Sequence, residues 1–211
     1  MSTPFYKKAR RHLSGNCAVM KRLIAAIGPC TLTPNPADPF TLLVRCVISQ
    51  QISTKAAESI LGRLKAAVAE GDAIPMARLA RLGEEELREC GISGPKQRAL
   101  RAVIDHVKDN PAFLPGIDDR DDDLVREQLT EIKGIGPWTA DMFLMFGIGR
   151  PDVLPVGDYG FRAALKIHFN LRKLPKPDKS IKLGEPWRPY RSIATWYLWR
   201  SLELVKKENG K

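Results

Sequence analysis

The sequence predicts an all-α protein. Apolar residues recur at helical spacing through most of the chain, glycine- and proline-rich turns separate those stretches, and no segment alternates like a half-buried strand. Val19, Met20, Leu23, Ile24 and Ile27 share one face of a first helix, which Gly28 and Pro29 stop. The run TLTPNPADP (31–39) is a connection. Residues 40–49 are apolar enough for a buried helix, and 54–69 form a longer amphipathic one. Helices follow at 76–81, 84–90, 95–108 and 122–132, set apart by Gly91, Ser93-Gly94-Pro95 and Asn110-Pro111. Two more span 138–146 and 159–169, a lysine- and proline-rich loop takes up 173–190, and a last helix runs from about Arg191 to Val205.

A chain of 211 residues, 44% hydrophobic and 27% charged, suits one large domain or two small ones and is not disordered. Lys and Arg total 34 against 24 Asp and Glu, a formal net charge of +10. Such a surface draws polyanions, nucleic acid foremost; the alternative is a merely soluble basic protein. Cys17, Cys30, Cys46 and Cys90 form no C-x-x-C pair, which excludes the usual zinc pattern and gives no disulfide framework. They are expected to be buried thiols in a reducing compartment. The first residues lack an apolar signal-peptide core, and no run approaches about eighteen uncharged apolar residues. A soluble, intracellular monomer without membrane contact is therefore expected.

The most informative segment is Thr130-Glu131-Ile132-Lys133-Gly134-Ile135-Gly136-Pro137-Trp138-Thr139-Ala140. A helix ends near Ile132, Gly134 and Gly136 bracket one apolar residue, and Pro137 opens the next helix, where a missing amide proton costs nothing. The result is a tight αα turn with free N–H groups at the second helix, a place for a phosphate. By itself this is also an ordinary αα-hairpin.

The segment resembles the helix-hairpin-helix motif of DNA-binding and repair proteins, here about 122–147. That resemblance implies double-stranded DNA as partner, with Gly134, Gly136 and the amides up to Thr139 at a phosphate. It also implies a K⁺ or Na⁺ ion held by the backbone carbonyls of Thr130, Ile132 and Ile135. Downstream, Gly149-Arg150-Pro151-Asp152-Val153-Leu154-Pro155-Val156-Gly157-Asp158-Tyr159 adds a Gly/Pro-rich loop and an aspartate before a helix. Hairpin, loop and aspartate together are similar to the helix-hairpin-helix (HhH-GPD) DNA glycosylase superfamily, and most of all to its 3-methyladenine DNA glycosylase II branch, from about residue 40 onward. Asp158 then takes the catalytic place, stabilising an oxocarbenium-like sugar and orienting water. Its plainer role is a helix N-cap. Asp152 competes for that place, with a loop-surface carboxylate as its plainer reading, but it precedes Val153-Leu154-Pro155 and so lies too early to open the Tyr159 helix.

Lyase relatives carry a lysine two residues after the second hairpin glycine; this chain has Trp138, and Lys133 lies on the other side of the turn. No cysteine follows Cys90, so the four-cysteine iron–sulfur cluster of the endonuclease III branch is not expected. The resemblance thus implies a monofunctional hydrolase needing no catalytic cofactor. A flipped base needs stacking surfaces, for which Trp138, Met142, Tyr159 and Trp199 are candidates. Trp196, and in the alternative Trp199, anchor the last helix in the core. Gln51, in Ile48-Ser49-Gln50-Gln51-Ile52-Ser53, matches the family's wedge position, and a polar helix cap is the other reading. Ser93-Gly94-Pro95-Lys96 resembles a second backbone-contacting turn, with Gly94 and Lys96 at a phosphate.

The branch's N-terminal β-rich domain is expected to be absent, leaving subdomains of 40–157 and of 1–39 with 158–211, and a DNA cleft between them with Asp158 at the seam. The expected substrates are alkylated purines of the 3-methyladenine and 7-methylguanine type. Two alternatives stay open: a glycosylase of the same fold for oxidised, deaminated or mismatched bases, and a helix-hairpin-helix protein that binds damaged DNA without cutting it.

Overall fold

The computed structural model describes residues 3–35, 37–68 and 70–209; Pro36 of the expected connection and Ala69 at the expected end of a helix lie outside the described residues. Among the described residues the elements are helical, with an isolated bridge between Glu70 and Ala73. The all-α expectation holds. None of the helices is long and apolar enough to cross a membrane among the described residues. Two compact units form, one from Met1–Pro34 with Gly149–Lys211, the other from Asn35–Ile148.

The first unit opens with α1 (Thr3–Asn16) and α2 (Ala18–Ile27), which pack on each other. The sequence reading gives no helix before Val19. The apolar line of α1 is narrow, with Ala9 and Leu13 fully buried between basic residues, so its periodicity is masked by charge. α2 ends as expected, with Gly28 at φ 85.

In the second unit, α3 (Pro39–Ser49) is central, packed against α4 (Thr54–Val68), α7 (Gly94–Asp109) and α9 (Pro137–Met142). Asp38 caps it: its carboxylate accepts the Thr41 amide at 3.0 Å and the Thr41 hydroxyl at 2.6 Å. Thr41 Oγ1 in turn accepts the Ile74 amide at 2.8 Å, joining α3 to the segment before α5 (Met76–Arg81). α6 (Glu84–Glu89) and α5 both lie against α7, and α8 (Asp122–Thr130) precedes the hairpin. The predicted helix 138–146 is not one regular helix. α9 gives way to a π-helical turn, Phe143–Gly147, closed by the Ile148 amide on the Phe143 carbonyl at 3.1 Å. Gly147 lies there against the Leu42 side chain, where an added Cβ would come within 3.2 Å.

The chain then returns to the first unit. The division falls at 148/149 because residues 149–157 pack there: Val153 is fully buried and its amide donates to Ser192 Oγ at 2.9 Å. At the other boundary the Asn35 amide bonds to the Phe146 carbonyl at 2.8 Å, which keeps residues 35–39 with the second unit. α10 (Tyr159–His168) and α2 flank α12 (Arg191–Asn209), whose Tyr197 hydroxyl donates to the Gly28 carbonyl at 2.8 Å. The expected loop 173–190 instead contains α11 (Pro177–Gly184) and a 3₁₀ turn at Glu185–Trp187. The face that α11 buries is Ser180 and Gly184, small residues one turn apart, so no apolar stripe marks it. Gly184 is required by closeness: a Cβ would meet both Leu154 methyl groups at 2.9 Å. Trp187 is fully buried, its ring edge-on to Phe161 at 6.5 Å.

Cys30, Cys46 and Cys90 are buried and Cys17 half-buried, all free. Burial pushes the Cys46 thiol up to about 12 and the Cys30 thiol up to about 11, so both stay protonated and unreactive at neutral pH.

Ser201 Oγ uses its proton on the Leu198 carbonyl at 2.7 Å, so His168 Nε2 is the donor to Ser201 Oγ, also at 2.7 Å. Desolvation, and then the charge of Arg22, lower the His168 pKa from its ordinary 6.5. A base whose folded pKa is depressed binds fewer protons than in the unfolded chain. Its stabilisation is therefore complete above about 6.5 and is lost as pH falls below that value. Between pH 7 and pH 5 the thermal midpoint of His168→Gln should fall less than that of the wild type, measured by parallel melts.

Candidate active site

Asp158 follows a short turn in which its own amide bonds to the Pro155 carbonyl at 2.9 Å, while Val153, Leu154 and Pro155 are buried. Its extended backbone (φ −72, ψ 126) makes it the N-cap of α10, and Oδ1 accepts the Phe161 amide at 2.5 Å. The same oxygen accepts the Trp199 indole N–H at 2.8 Å, from α12. The N-cap reading is thus true of Asp158, and it does not compete with a chemical role. A cap fixes the carboxylate, and the indole holds it from a second direction.

Gly160 leaves room for the approach. A Cβ there would lie 3.2 Å from Asp158 Oδ1, 3.3 Å from Trp199 Cδ1 and 3.4 Å from Trp199 Nε1. The sequence reading missed this residue, although a glycine in the first turn of a helix, two after a candidate aspartate, is a readable signal. Trp199 is half-buried and packs on the core of its unit, whereas Trp196 is a core residue, edge-on to Tyr197 at 5.0 Å. Tyr159 is 71% exposed and adds nothing to that core.

Asp152 is not a loop-surface carboxylate. Its Oδ1 accepts Arg191 Nε at 2.8 Å and the Arg191 amide at 3.2 Å, and its Oδ2 accepts Arg188 Nη1 at 2.8 Å. The Arg191 guanidinium also donates to the Asp152 carbonyl at 2.6 Å. Three donors and a half-buried position make it the anchor of the start of α12.

In the second unit the hairpin forms as the sequence predicts. Gly134 has φ +92, and a Cβ on it would fall 2.6 Å from the Cβ of Ala99, so glycine is needed twice over. Gly136 is extended (φ −106, ψ 176) with open space around it, and serves as N-cap with Pro137 behind it. Ile132 and Ile135 are buried, and the Ile135 amide bonds to the Ile132 carbonyl at 2.9 Å. Arg126 Nε bonds to the buried Asp141 at 2.9 Å and its Nη1 to Asp123 at 2.8 Å, which staples α8 to α9. That pair was not singled out in the sequence.

Thr139 is buried; its amide bonds to the Gly136 carbonyl at 2.9 Å. Its hydroxyl accepts Gln50 Nε2 at 2.9 Å, and the same amide group donates to the Gly134 carbonyl at 3.0 Å. Gln50 was not singled out in the sequence. Its neighbour Gln51 is exposed, at φ 55. Lys96 Nζ donates to the Ile48 carbonyl at 2.7 Å, and desolvation lowers its pKa. Gly94 is exposed at the start of α7, Trp138 is half-buried on α9, and Met142 one turn on is buried. No group of three His, Cys, Asp or Glu that could hold a metal ion occurs among the described residues.

Gly160→Ala tests the contact geometry. A better helix former gains roughly 1 kcal/mol, and the crowding of Trp199 offsets it, so the melting temperature should change little. The Trp199 indole N–H should lose its protection from hydrogen exchange, read by NMR; retained protection would show that the indole does not depend on the glycine.

The HhH-GPD superfamily base excision DNA repair protein family matches residues 44–189. The alkylbase DNA glycosidase-like protein mag2 of Schizosaccharomyces pombe is 33% identical over 96% of this chain and 96% of its own length. DNA-3-methyladenine glycosylase 1 of the same yeast is 33% identical over 94% of this chain and 88% of its own. The solved structure of 3-methyladenine DNA glycosylase (Mag1) from that yeast, in complex with abasic DNA, superposes with a TM-score of 0.82 at 31% identity, covering 93% of this chain and 97% of that one. With its hairpin, its capped aspartate and these likenesses, the chain belongs to the HhH-GPD superfamily of base excision DNA repair proteins.

Proposed function

We propose that this protein is a monofunctional DNA glycosylase that flips alkylated purines out of duplex DNA and hydrolyses their N-glycosidic bonds. The observation that carries the reading is the Asp158 carboxylate, held through Oδ1 by the Phe161 amide and the Trp199 indole, in a chain of this family. The names of its relatives, alkylbase and 3-methyladenine glycosylases, support the substrate class.

The chemistry follows from the charge. A 3-methyladenine or 7-methylguanine nucleotide already carries positive charge on the base. When C1′–N breaks, the bond's electron pair leaves with the base, which departs neutral, and the positive charge passes to the sugar. A fixed carboxylate at Asp158 stabilises that charge and aligns a water, whose oxygen bonds to C1′ and whose proton passes through the carboxylate to solvent. A preoriented carboxylate does this without reorganising, which is why the Phe161 and Trp199 donors matter. Each unit by itself offers candidate stacking faces for a flipped base: Trp199 in the first, with Tyr159 exposed next to the aspartate in sequence, and the half-buried Trp138 in the second, with Met142 one turn further along α9. Trp138, in place of the lyase lysine, supports hydrolysis without Schiff-base chemistry.

DNA is held mainly through its phosphates, by the hairpin at Gly134 and Gly136 and the turn at Gly94, with Gln51 filling the gap of the extruded nucleotide. A K⁺ or Na⁺ ion on the carbonyls of Thr130, Ile132 and Ile135 would add one positive charge for a phosphate. The Ile132 carbonyl accepts the Ile135 amide and still has a second lone pair for it. The place of action is intracellular, wherever DNA is repaired.

The test is base release from methylated duplex DNA. Wild type should free methylpurine, with strand nicking only after alkali and no borohydride-trapped adduct. Asp158→Asn should still bind abasic duplex but release base about 10²–10³-fold more slowly. Equal release by both proteins would remove Asp158 from the reaction, and no release by either would remove the alkylpurine assignment. Asp152→Asn is the control carboxylate. It should cost about 2 kcal/mol of stability, roughly 4–8 °C in Tm for a chain of this size, and leave base release by the folded protein unchanged.

A further inference from the structure

The turn that carries Gln51 is tied down from two sides, and neither tie uses Gln51 itself. Gln51 is exposed and sits at φ 55, in the left-handed region that residues with a Cβ occupy only where their surroundings hold them. On the upstream side, Lys96 Nζ donates to the carbonyl of Ile48 at 2.7 Å, in the last turn of α3. Carbonyls at a helix end have no partner within the helix, and a lysine from α7 supplies one. On the hairpin side, the side-chain amide of Gln50, the residue directly before Gln51, donates to the Gly134 carbonyl at 3.0 Å and to Thr139 Oγ1 at 2.9 Å. The third edge closes the figure. Gly134 lies directly on Ala99, which stands three residues after Lys96 on α7. The α3–α4 turn, the hairpin and the start of α7 thus form a closed triangle within one unit, each pair in contact.

Lys96 fits a strut better than a phosphate ligand. It is half-buried, it donates to a backbone carbonyl inside the unit, and burial disfavours its charge. Phosphate contacts set overall affinity for any duplex, whereas a residue inserted into the base stack responds to the lesion. Rigid placement of such a residue removes the ordering cost at the moment of insertion.

We infer that Gln50 and Lys96 are positioning residues that hold Gln51 in its left-handed conformation at a set place beside the hairpin, making the wedge turn and the phosphate clamp one rigid gauge on duplex DNA. This rests on the glycosylase reading above. It assigns Lys96 to the protein's interior bonding and gives the unremarked Gln50 a part in recognising damage.

The test uses the full chain and two duplexes, one undamaged and one with a tetrahydrofuran abasic site opposite 2-aminopurine. Gln50→Glu keeps the shape but loses the donors, and should lose about tenfold of the preference for the abasic duplex, with a smaller fluorescence change at 2-aminopurine. Lys96→Met should also lose preference, with the slope of affinity against salt unchanged and Lys96→Arg restoring it. A lysine neutralising a phosphate would instead make that slope shallower by about one unit on removal, and this result would overturn the strut. In the free protein, amides of residues 50–53 should exchange faster in Gln50→Glu and Lys96→Met, by more than the accompanying fall in Tm accounts for and more than amides elsewhere in the unit. Wild-type exchange and wild-type preference in Gln50→Glu would overturn the inference. A wild type that binds both duplexes equally would overturn the DNA reading and the gauge with it, while faster exchange would still report the tie itself.

Discussion

The hydrogen bond from the Trp199 indole to Asp158 Oδ1 joins α12 to the first turn of α10, and the placement of the candidate catalytic carboxylate depends on it. An N-cap alone fixes one oxygen against one amide and leaves the carboxylate free to pivot about that bond. A second donor from another helix removes the pivot. The approach is close enough that a Cβ at 160 would press on both partners, and it rests on a buried loop at 153–155 and a firmly placed α12. Asp152 supplies the last of these, binding Arg188 and Arg191 at the helix start. Two aspartates six residues apart in sequence thus grip α12 at Arg191 and Trp199, about 12 Å apart along the helix axis. One carboxylate holds the scaffold, and the other is held by it.

The second unit solves a different problem, that of presenting backbone to a ligand without losing the backbone's own bonds. Gly134 can approach Ala99 because it has no side chain, the Arg126–Asp141 pair fixes α8 against α9, and the π-helical turn ends α9 beside Leu42. The carbonyl of Gly134 and the hydroxyl of Thr139 are satisfied by Gln50, a residue eighty-four positions from the first of them. A hairpin built in this way is stiff before it meets anything, and stiffness lowers the entropic cost of binding.

The net charge of +10 and the local contacts act at different ranges. Overall positive charge accelerates encounter with a polyanion and weakens with salt. The residues proposed to touch DNA at short range are largely neutral: glycines, backbone amides and glutamine. Lys96, which the sequence reading puts at a phosphate, instead directs a hydrogen bond to the Ile48 carbonyl.

The sequence by itself determined the helical class, most helix positions, the hairpin and the aspartate at the start of α10, because each of these is written in neighbouring residues. Spacing of apolar side chains, Gly-x-Gly before proline and Asp before a helix are local patterns with local physical causes. Where the buried face was made of small or interrupted residues, as in α1 and α11, the same reasoning was blind, since periodicity registers large apolar side chains. Only the tertiary structure decided which polar groups are spent on which. It showed that Asp152 anchors α12, that Asp158 is shared by Phe161 and Trp199, that Arg126 pairs with Asp141, and that Gln50 rather than Gln51 holds the hairpin. Those partners lie between 15 and 84 residues apart in four of the five bonds, and a bond of that kind is set by how helices pack, which no local pattern encodes.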